Sequence, residues 1–238
     1  MKRFFAADYD GAPFKLFGVP HLVALGIFVS VNIALIAVGQ RYPVAWRTPT
    51  RIALAVVLVG QEIVMHVWRI ATGTWDRREH LPFHLCSLAV WLGAAMLITK
   101  NYRIYEFAYL LGLPGALQGV LTPDAGRYGY PHFRFFQALL SHSLIVTAAI
   151  YMTTAEGLRP VPMSLVRVMI GGNLYMLILY PINRALGSNY AFVNRKPDTA
   201  SLLDLLPKWP WYILYIELIG AAMALLLYLP FFIHDLRA

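Results

Sequence analysis

An all-α, polytopic bundle of about seven membrane-spanning helices is the fold class this sequence predicts, and three observations predict it. Hydrophobic residues make up 59% of the 238 and charged residues only 13%, roughly half the charged share of a soluble domain. Mean hydropathy is +0.58 over the whole length, which leaves no room for a large soluble part. Seven apolar stretches, each bounded by charge, Pro or Gly, follow one another along the chain. At about 20 residues per crossing they use most of it. A single integral membrane domain over residues 1–238 is expected.

The first stretch runs about His21 to Gly39. It is long enough to span, and the charged, interrupted start MKRFFAADYDGAPFK does not read as a cleavable signal peptide. The second runs about Ile52 to Ile70 and is followed by a loop with Trp75, Asp76, Arg77, Arg78 and Glu79. The third runs about Pro82 to Ile98. The fourth, about Tyr105 to Leu121, contains GLPGALQG, and its Pro114 and flanking glycines predict either a kinked span or a re-entrant hairpin. Six crossings with one hairpin is therefore the alternative count. The fifth covers about Phe135 to Tyr151, the sixth Leu165 to Asn183 and the seventh Trp209 to Ile233. The KWPWY that opens the seventh suits an interfacial belt, where Trp and Tyr rings favour the head-group level. The longest loop, Arg184 to Lys208, mixes aromatic, basic and amide residues.

A net charge of +8 comes from Lys and Arg scattered singly between apolar stretches. Loop cations that hold spans in place and meet anionic head groups account for it, so nucleic acid is not expected as a partner. One cysteine, Cys86, excludes an internal disulfide and any multi-cysteine metal site. With seven crossings, the face that holds the N-terminus also holds the loops after the second, fourth and sixth segments. Twelve of the 20 Lys and Arg fall on it, which predicts a cytoplasmic N-terminus.

Ionisable groups inside apolar spans are costly and face the bundle interior. Glu62, His66 and Arg69 share one face of the second segment through spacings of four and three. His80, His84 and Ser87 would share a face of the third if its helix begins that early. Gln118 ends the fourth, His142 lies between Ser141 and Ser143 in the fifth, Asn183 ends the sixth, and Glu217 lies one or two turns into the seventh. Glu62, His66, Arg69, His84, Cys86, Gln118, His142 and Asn183 all fall in the half of the membrane on the N-terminal side. That clustering predicts one polar pocket opening to that side. An ion-pair ladder for Glu62, His66 and Arg69, a satisfied packing histidine at 142 and a small apolar core residue at 86 are the structural readings of the same residues.

The motifs themselves resemble a known family. Leu81 to Cys86 reads Leu-Pro-Phe-His-Leu-Cys, a Gly-rich stretch ends in Gln118 to Asp124, an aromatic and basic approach leads from His132 to the Ser-His pair at His142, and Asn-Tyr-x-Phe…Lys-Pro at Asn189 to Pro197 precedes Trp209 to Tyr212. In this order the chain resembles the YwaF-type bacterial integral membrane proteins, and through them the transmembrane protein 164 family of eukaryotic phospholipid acyltransferases. The resemblance implies a phospholipid acyltransferase of a bacterial plasma membrane, with Cys86 as nucleophile and His142 as base. It implies membrane phospholipids and lysophospholipids as partners, with no cofactor and no metal. A thioester mechanism needs a thiolate, a base, an oxyanion partner and an acceptor. A thiol buried in an apolar pocket is inert until a partner takes its proton, and the free N–H groups of a helix start favour the anion. His84 and Gln118 are the candidates for the oxyanion. Glu62, His66, Arg69, Asn183, Asn189, Tyr190 and Lys196 are the candidates for binding substrate, with Arg69, Arg134, Arg184, Arg195 and Lys196 suited to a phosphate. A lipid hydrolase using the same site, a lipid or solute carrier, and a metal or haem site built from His66, His80, His84 and His142 are the alternatives.

Overall fold

The computed structural model describes residues 3–39, 41–197 and 202–237. Among them the regular structure is entirely helical: α1 Val19–Gly39, α2 Val44–Ala71, α3 Leu85–Thr99, α4 Tyr102–Phe107, α5 Leu113–Leu121, α6 Phe133–Thr154, α7 Pro162–Leu186 and α8 Trp211–Arg237, with short 3₁₀ turns after α7. A π-helical turn, Ala108–Gly112, joins α4 to α5, so Tyr102–Leu121 is one continuous helical run. Six helical runs are long and apolar enough to cross a membrane, and α3 is a shorter apolar seventh. The expected count of about seven stands.

The chain divides into two compact units, Met1–Trp75 with Ala89–Leu158, and Asp76–Leu88 with Arg159–Ala238. In the first unit α6 is the central helix, packed against α1, α2 and α5. Leu58, Ala148, Ala149, Tyr151 and Met152 are among its most deeply buried residues. In hydrocarbon, helices associate through close packing rather than apolar transfer, so small residues mark the contacts. A Cβ on Gly39 would lie 2.5 Å from Thr154 Cβ, and one on Gly93 would lie 3.1 Å from Leu58 Cδ2. By contrast α1 leaves Ile27, Ile33 and Ile36 more than half exposed. Its 21 residues rise about 31 Å, the thickness of the hydrocarbon core, and lipid covers that face.

The two ends of the first unit are each closed by polar contacts, and they fix how the chain alternates. At one end the segment before α1 lies over the ends of α2 and α6: Trp68 Nε1 donates to Phe5 O at 2.9 Å and Phe133 N to Phe4 O at 3.0 Å. Buried His132 donates from Nε2 to Ala6 O at 3.0 Å, and burial holds its pKa below the ordinary value, which keeps the ring neutral. His21 Nε2 reaches Val120 O at 3.0 Å, so the start of α1 meets the end of α5 at this same end. At the other end Tyr105 O–H bonds with Thr153 Oγ1 and Leu158 O, and Tyr151 O–H donates to Arg47 O. The start of α4 and the end of α5 therefore lie at opposite ends of the unit. The fourth stretch crosses; it is not the re-entrant hairpin of the alternative count. Its irregularity is taken up by the π turn just before Pro114, a residue that has no N–H to donate to the preceding turn.

The second unit holds α7, α8 and the turns that join them. The C-terminus of α7 is closed by Gly187 at φ 68, whose N–H returns to Asn183 O.

Candidate functional site

The third span starts later than its apolar run. Pro82 disfavours helical backbone at Leu81, residues 81–84 run as bends and turns, and α3 begins only at Leu85. The expectation that His80, His84 and Ser87 share one helix face is therefore corrected: both histidines precede the helix. His80 instead accepts from Asp76 N at 2.8 Å and lies 3.8 Å from Glu79. Fifteen helical residues rise about 22 Å, short of the roughly 30 Å hydrocarbon core, so irregular backbone completes the crossing. Such backbone survives at membrane depth only when the protein satisfies its polar groups. Two phenols do so. Tyr190 O–H accepts from Leu81 N at 3.0 Å and donates to Arg77 O at 2.5 Å, and Tyr175 O–H donates to Phe83 O at 2.9 Å. Burial pushes the Tyr190 phenol pKa up, so it remains a donor.

Cys86, half-buried with a free thiol, sits in the first turn of this short helix. His84 stands just ahead of it, its ring against Tyr190 and Phe192 at centroid distances of 5.1 and 5.3 Å, its Nδ1 3.4 Å from Ala191 N. Ala191 and Phe192 have φ of 51 and 55, left-handed values that cost about 1–3 kcal/mol at a non-glycine residue and persist only where surroundings impose them. Asn183 imposes them. Its Oδ1 accepts from Tyr190 N at 2.7 Å and Ser188 Oγ at 2.8 Å, and its Nδ2 donates to Tyr190 O at 3.0 Å and Asn194 Oδ1 at 2.8 Å. Asn189 Oδ1 holds Asn194 N and Arg195 N, and Lys196 Nζ donates to Leu206 O at 2.7 Å. Asn183, Asn189, Tyr190 and Lys196 thus spend their polar atoms on building the turn against which His84 rests. Asn183→Ala is expected to loosen residues 188–197, at a cost of about 1–3 kcal/mol for the unsatisfied backbone groups. Hydrogen exchange at the amide of Tyr190, which donates to Asn183 Oδ1, reads this directly, and unchanged protection there would remove Asn183 from the role.

The first unit holds the other polar residues. His142 Nδ1 lies 2.7 Å from Ala138 O. A carbonyl only accepts, so Nδ1 carries the proton and Nε2 of the neutral ring keeps its lone pair. The Cδ2–Nε2 edge lies on Gly119: a Cβ there would come 2.2 Å from Cδ2 and 2.5 Å from Nε2. Gln118, a candidate for the oxyanion, is exposed, and Gly119 beside it is what meets the ring. Beside His142 a polar seam joins α2 to α6. Arg134 donates to Gln137 Oε1, Gln137 Nε2 to Gln61 Oε1 at 2.9 Å, and Gln61 Nε2 to Ser141 Oγ at 3.1 Å. Gln61 is distinguished in the sequence by neither charge nor motif, and Gly119 only as one glycine of the GLPGALQG stretch. On the same helix Glu62 lies 3.5 Å from His66 Nε2, while His66 Nδ1 accepts from Trp75 Nε1 at 3.1 Å. The first two rungs of the expected ladder are present.

The candidate site residues thus divide between the units: Glu62, His66, Arg69, Gln118 and His142 in the first, His84, Cys86, Asn183, Asn189, Tyr190 and Lys196 in the second. Among the described residues, no three His, Cys, Asp or Glu side chains are grouped to hold a metal ion.

Comparison with known proteins adds the following. The model of the TMEM164 family matches residues 16–228. An uncharacterized protein of Treponema pallidum (strain Nichols) is 24% identical over 224 residues, which cover 93% of this chain and 92% of that one. No solved structure matches.

Proposed function

The chain belongs to the TMEM164 family, and from that premise we propose that it moves fatty acyl groups between membrane phospholipids, with Cys86 as nucleophile and His142 as base. The observation that carries the reading is the state of His142: its Nδ1–H is committed to Ala138 O, which leaves Nε2 as the proton acceptor. The position of Cys86 in the first turn of α3 supports it, since the unpaired N–H groups of a helix start favour an anion.

The chemistry balances as two exchanges. His142 Nε2 takes the Cys86 proton, and the thiolate attacks an ester carbonyl of the donor lipid. The bond from that carbon to the glycerol oxygen breaks, the imidazolium returns the proton to the oxygen, and a lysophospholipid leaves. The acceptor hydroxyl then gives its proton to Nε2 and attacks the thioester; the C–S bond breaks and the thiolate recovers its proton. Water in the acceptor's place would make the same site a hydrolase.

Intact-protein mass spectrometry tests the proposal on wild type and Cys86→Ala, each incubated with phosphatidylcholine. A hydroxylamine-sensitive adduct of acyl mass is expected on wild type alone. An adduct of equal yield on Cys86→Ala, or none on wild type while lipid turnover proceeds, would overturn the assignment.

A further inference from the structure

The second unit contains a groove of about 820 Å³ between α7 and α8, within the range of small-ligand sites. Its walls are mainly apolar, with Met169, Ile170, Leu174 and Leu177 on one helix and Ile213 and Leu214 on the other, and Asn173 and Tyr180 add polar atoms on α7. One end is closed by Trp209, whose Nε1 donates to Val193 O at 3.1 Å, and Val193 lines the groove there. Val193 also belongs, with Tyr190, to the buried cluster on which Leu81 and Phe83 pack. The turn that supports the segment leading to Cys86 is therefore also the end wall of the groove.

One feature sets this groove apart from ordinary lipid-facing surface. Glu217 lines it, and among the described residues the carboxyl has no hydrogen bond or ion pair. It lies six residues beyond Trp211, about 9 Å along the helix axis. With Trp209 and Trp211 at the head-group level, that depth is the glycerol and upper-chain layer, where an ionisable side chain needs a partner. A carboxyl at that depth finds a donor in a free glycerol hydroxyl, which a diacylated glycerol backbone lacks.

We propose that the α7–α8 groove binds a single-chain glycerophospholipid, its acyl chain along the apolar walls and its free glycerol hydroxyl on Glu217. The apolar walls suit an acyl chain, and the hydroxyl at the carboxyl is the group that an acyl acceptor must present. That this lipid is the acceptor rests on the acyl-transfer reading; that the groove binds it does not.

The test uses the full chain in nanodiscs of diacyl phosphatidylcholine, with a lysophosphatidylcholine carrying a diazirine in its chain. Adducts are mapped by peptide, and lipid-exposed α1 serves as internal reference. Groove peptides are expected to label about tenfold above α1, the equivalent of one hydrogen bond to a charged or polar group. Glu217→Leu, harmless to a helix in lipid, and Leu174→Trp, which fills the groove, should each bring labelling down to the α1 level, while Glu217→Gln should keep most of it. Labelling of α7 and α8 equal to that of α1, or unchanged in Glu217→Leu, would mean annular lipid contact only and overturn the proposal. The thioester assay is separate: groove labelling without an acyl adduct would sink acyl transfer and leave the groove, and the converse would sink the groove alone.

Discussion

Gly119→Ala is expected to slow acyl-adduct formation by roughly 100-fold while the protein still inserts and folds. The added methyl would stand 2.2 Å from His142 Cδ2, whereas ordinary contact begins at 3.4 Å, so something must move by more than 1 Å. The atom in the way belongs to a ring whose own freedom is limited by the bond from Nδ1 to Ala138 O. Either that bond breaks as the ring turns, or α5 and α6 part. Misplacing a catalytic group by about 1 Å costs on the order of 100-fold in rate, and overpacking itself costs about 1–3 kcal/mol. The two contributions separate experimentally. Single-turnover acylation reads the first and thermal unfolding in detergent the second, with Gly60→Ala, inside α2 where an added Cβ meets nothing within 4 Å, as the control for helix propensity. Wild-type acylation by Gly119→Ala would show that the ring's seat on this glycine has no part in the reaction.

The contrast between Gly119 and Gln118 shows what was legible in the sequence and what was not. The crossings were, because lipid imposes one requirement on every span, a long apolar run, and each run ended at charge, Pro or Gly. Polar residues inside those runs stood out for the same reason: Glu62, His66, His142 and Asn183 are costly in hydrocarbon and so invite attention. A glycine does not. Whether it relaxes the backbone or admits a neighbour depends on which helix crosses it, and GLPGALQG pointed to a kink when its second use is a seat for His142. The late start of α3 shows a similar limit. Hydropathy extends the span back to Pro82, but residues 81–84 run as bends and turns, and tyrosines distant in sequence, Tyr175 and Tyr190, take up their polar groups. Asn183, Asn189 and Lys196 were noticed as polar and read as ligand contacts. Their bonds to Asn194, Arg195 and Leu206 become visible only once the chain has folded back on α7.

Glu156→Ala is expected to destabilise the first unit by about 3–5 kcal/mol, the cost of leaving a buried cation unpaired. Arg51 Nε lies 2.9 Å from Glu156 Oε1, and the two side chains are 6% and 4% exposed. Arg51 also donates to the carbonyls of Leu97 and Ile98 at the end of α3 and to Thr48 Oγ1, and Lys100 Nζ sits 2.6 Å from Glu156 Oε2. The carboxylate thus joins the start of α2, the end of α3 and the end of α6 at the face away from the N-terminus. Seen in the sequence, Arg51 is one of several scattered loop cations and Glu156 precedes a loop glycine; the pairing depends on three spans ending at one level. Removing the carboxylate alone leaves Arg51 with carbonyls that neutralise no charge, so the loss exceeds what the ion pair itself contributes. The double variant Arg51→Leu/Glu156→Leu removes both charges and should recover most of the stability, as replacing a buried pair by apolar residues often does. Unfolding midpoints for Glu156→Leu, Arg51→Leu and the double variant complete the cycle. A strictly additive result, with the double variant as unstable as the two singles summed, would show that these residues act separately and that the α2–α3–α6 junction is held by packing alone.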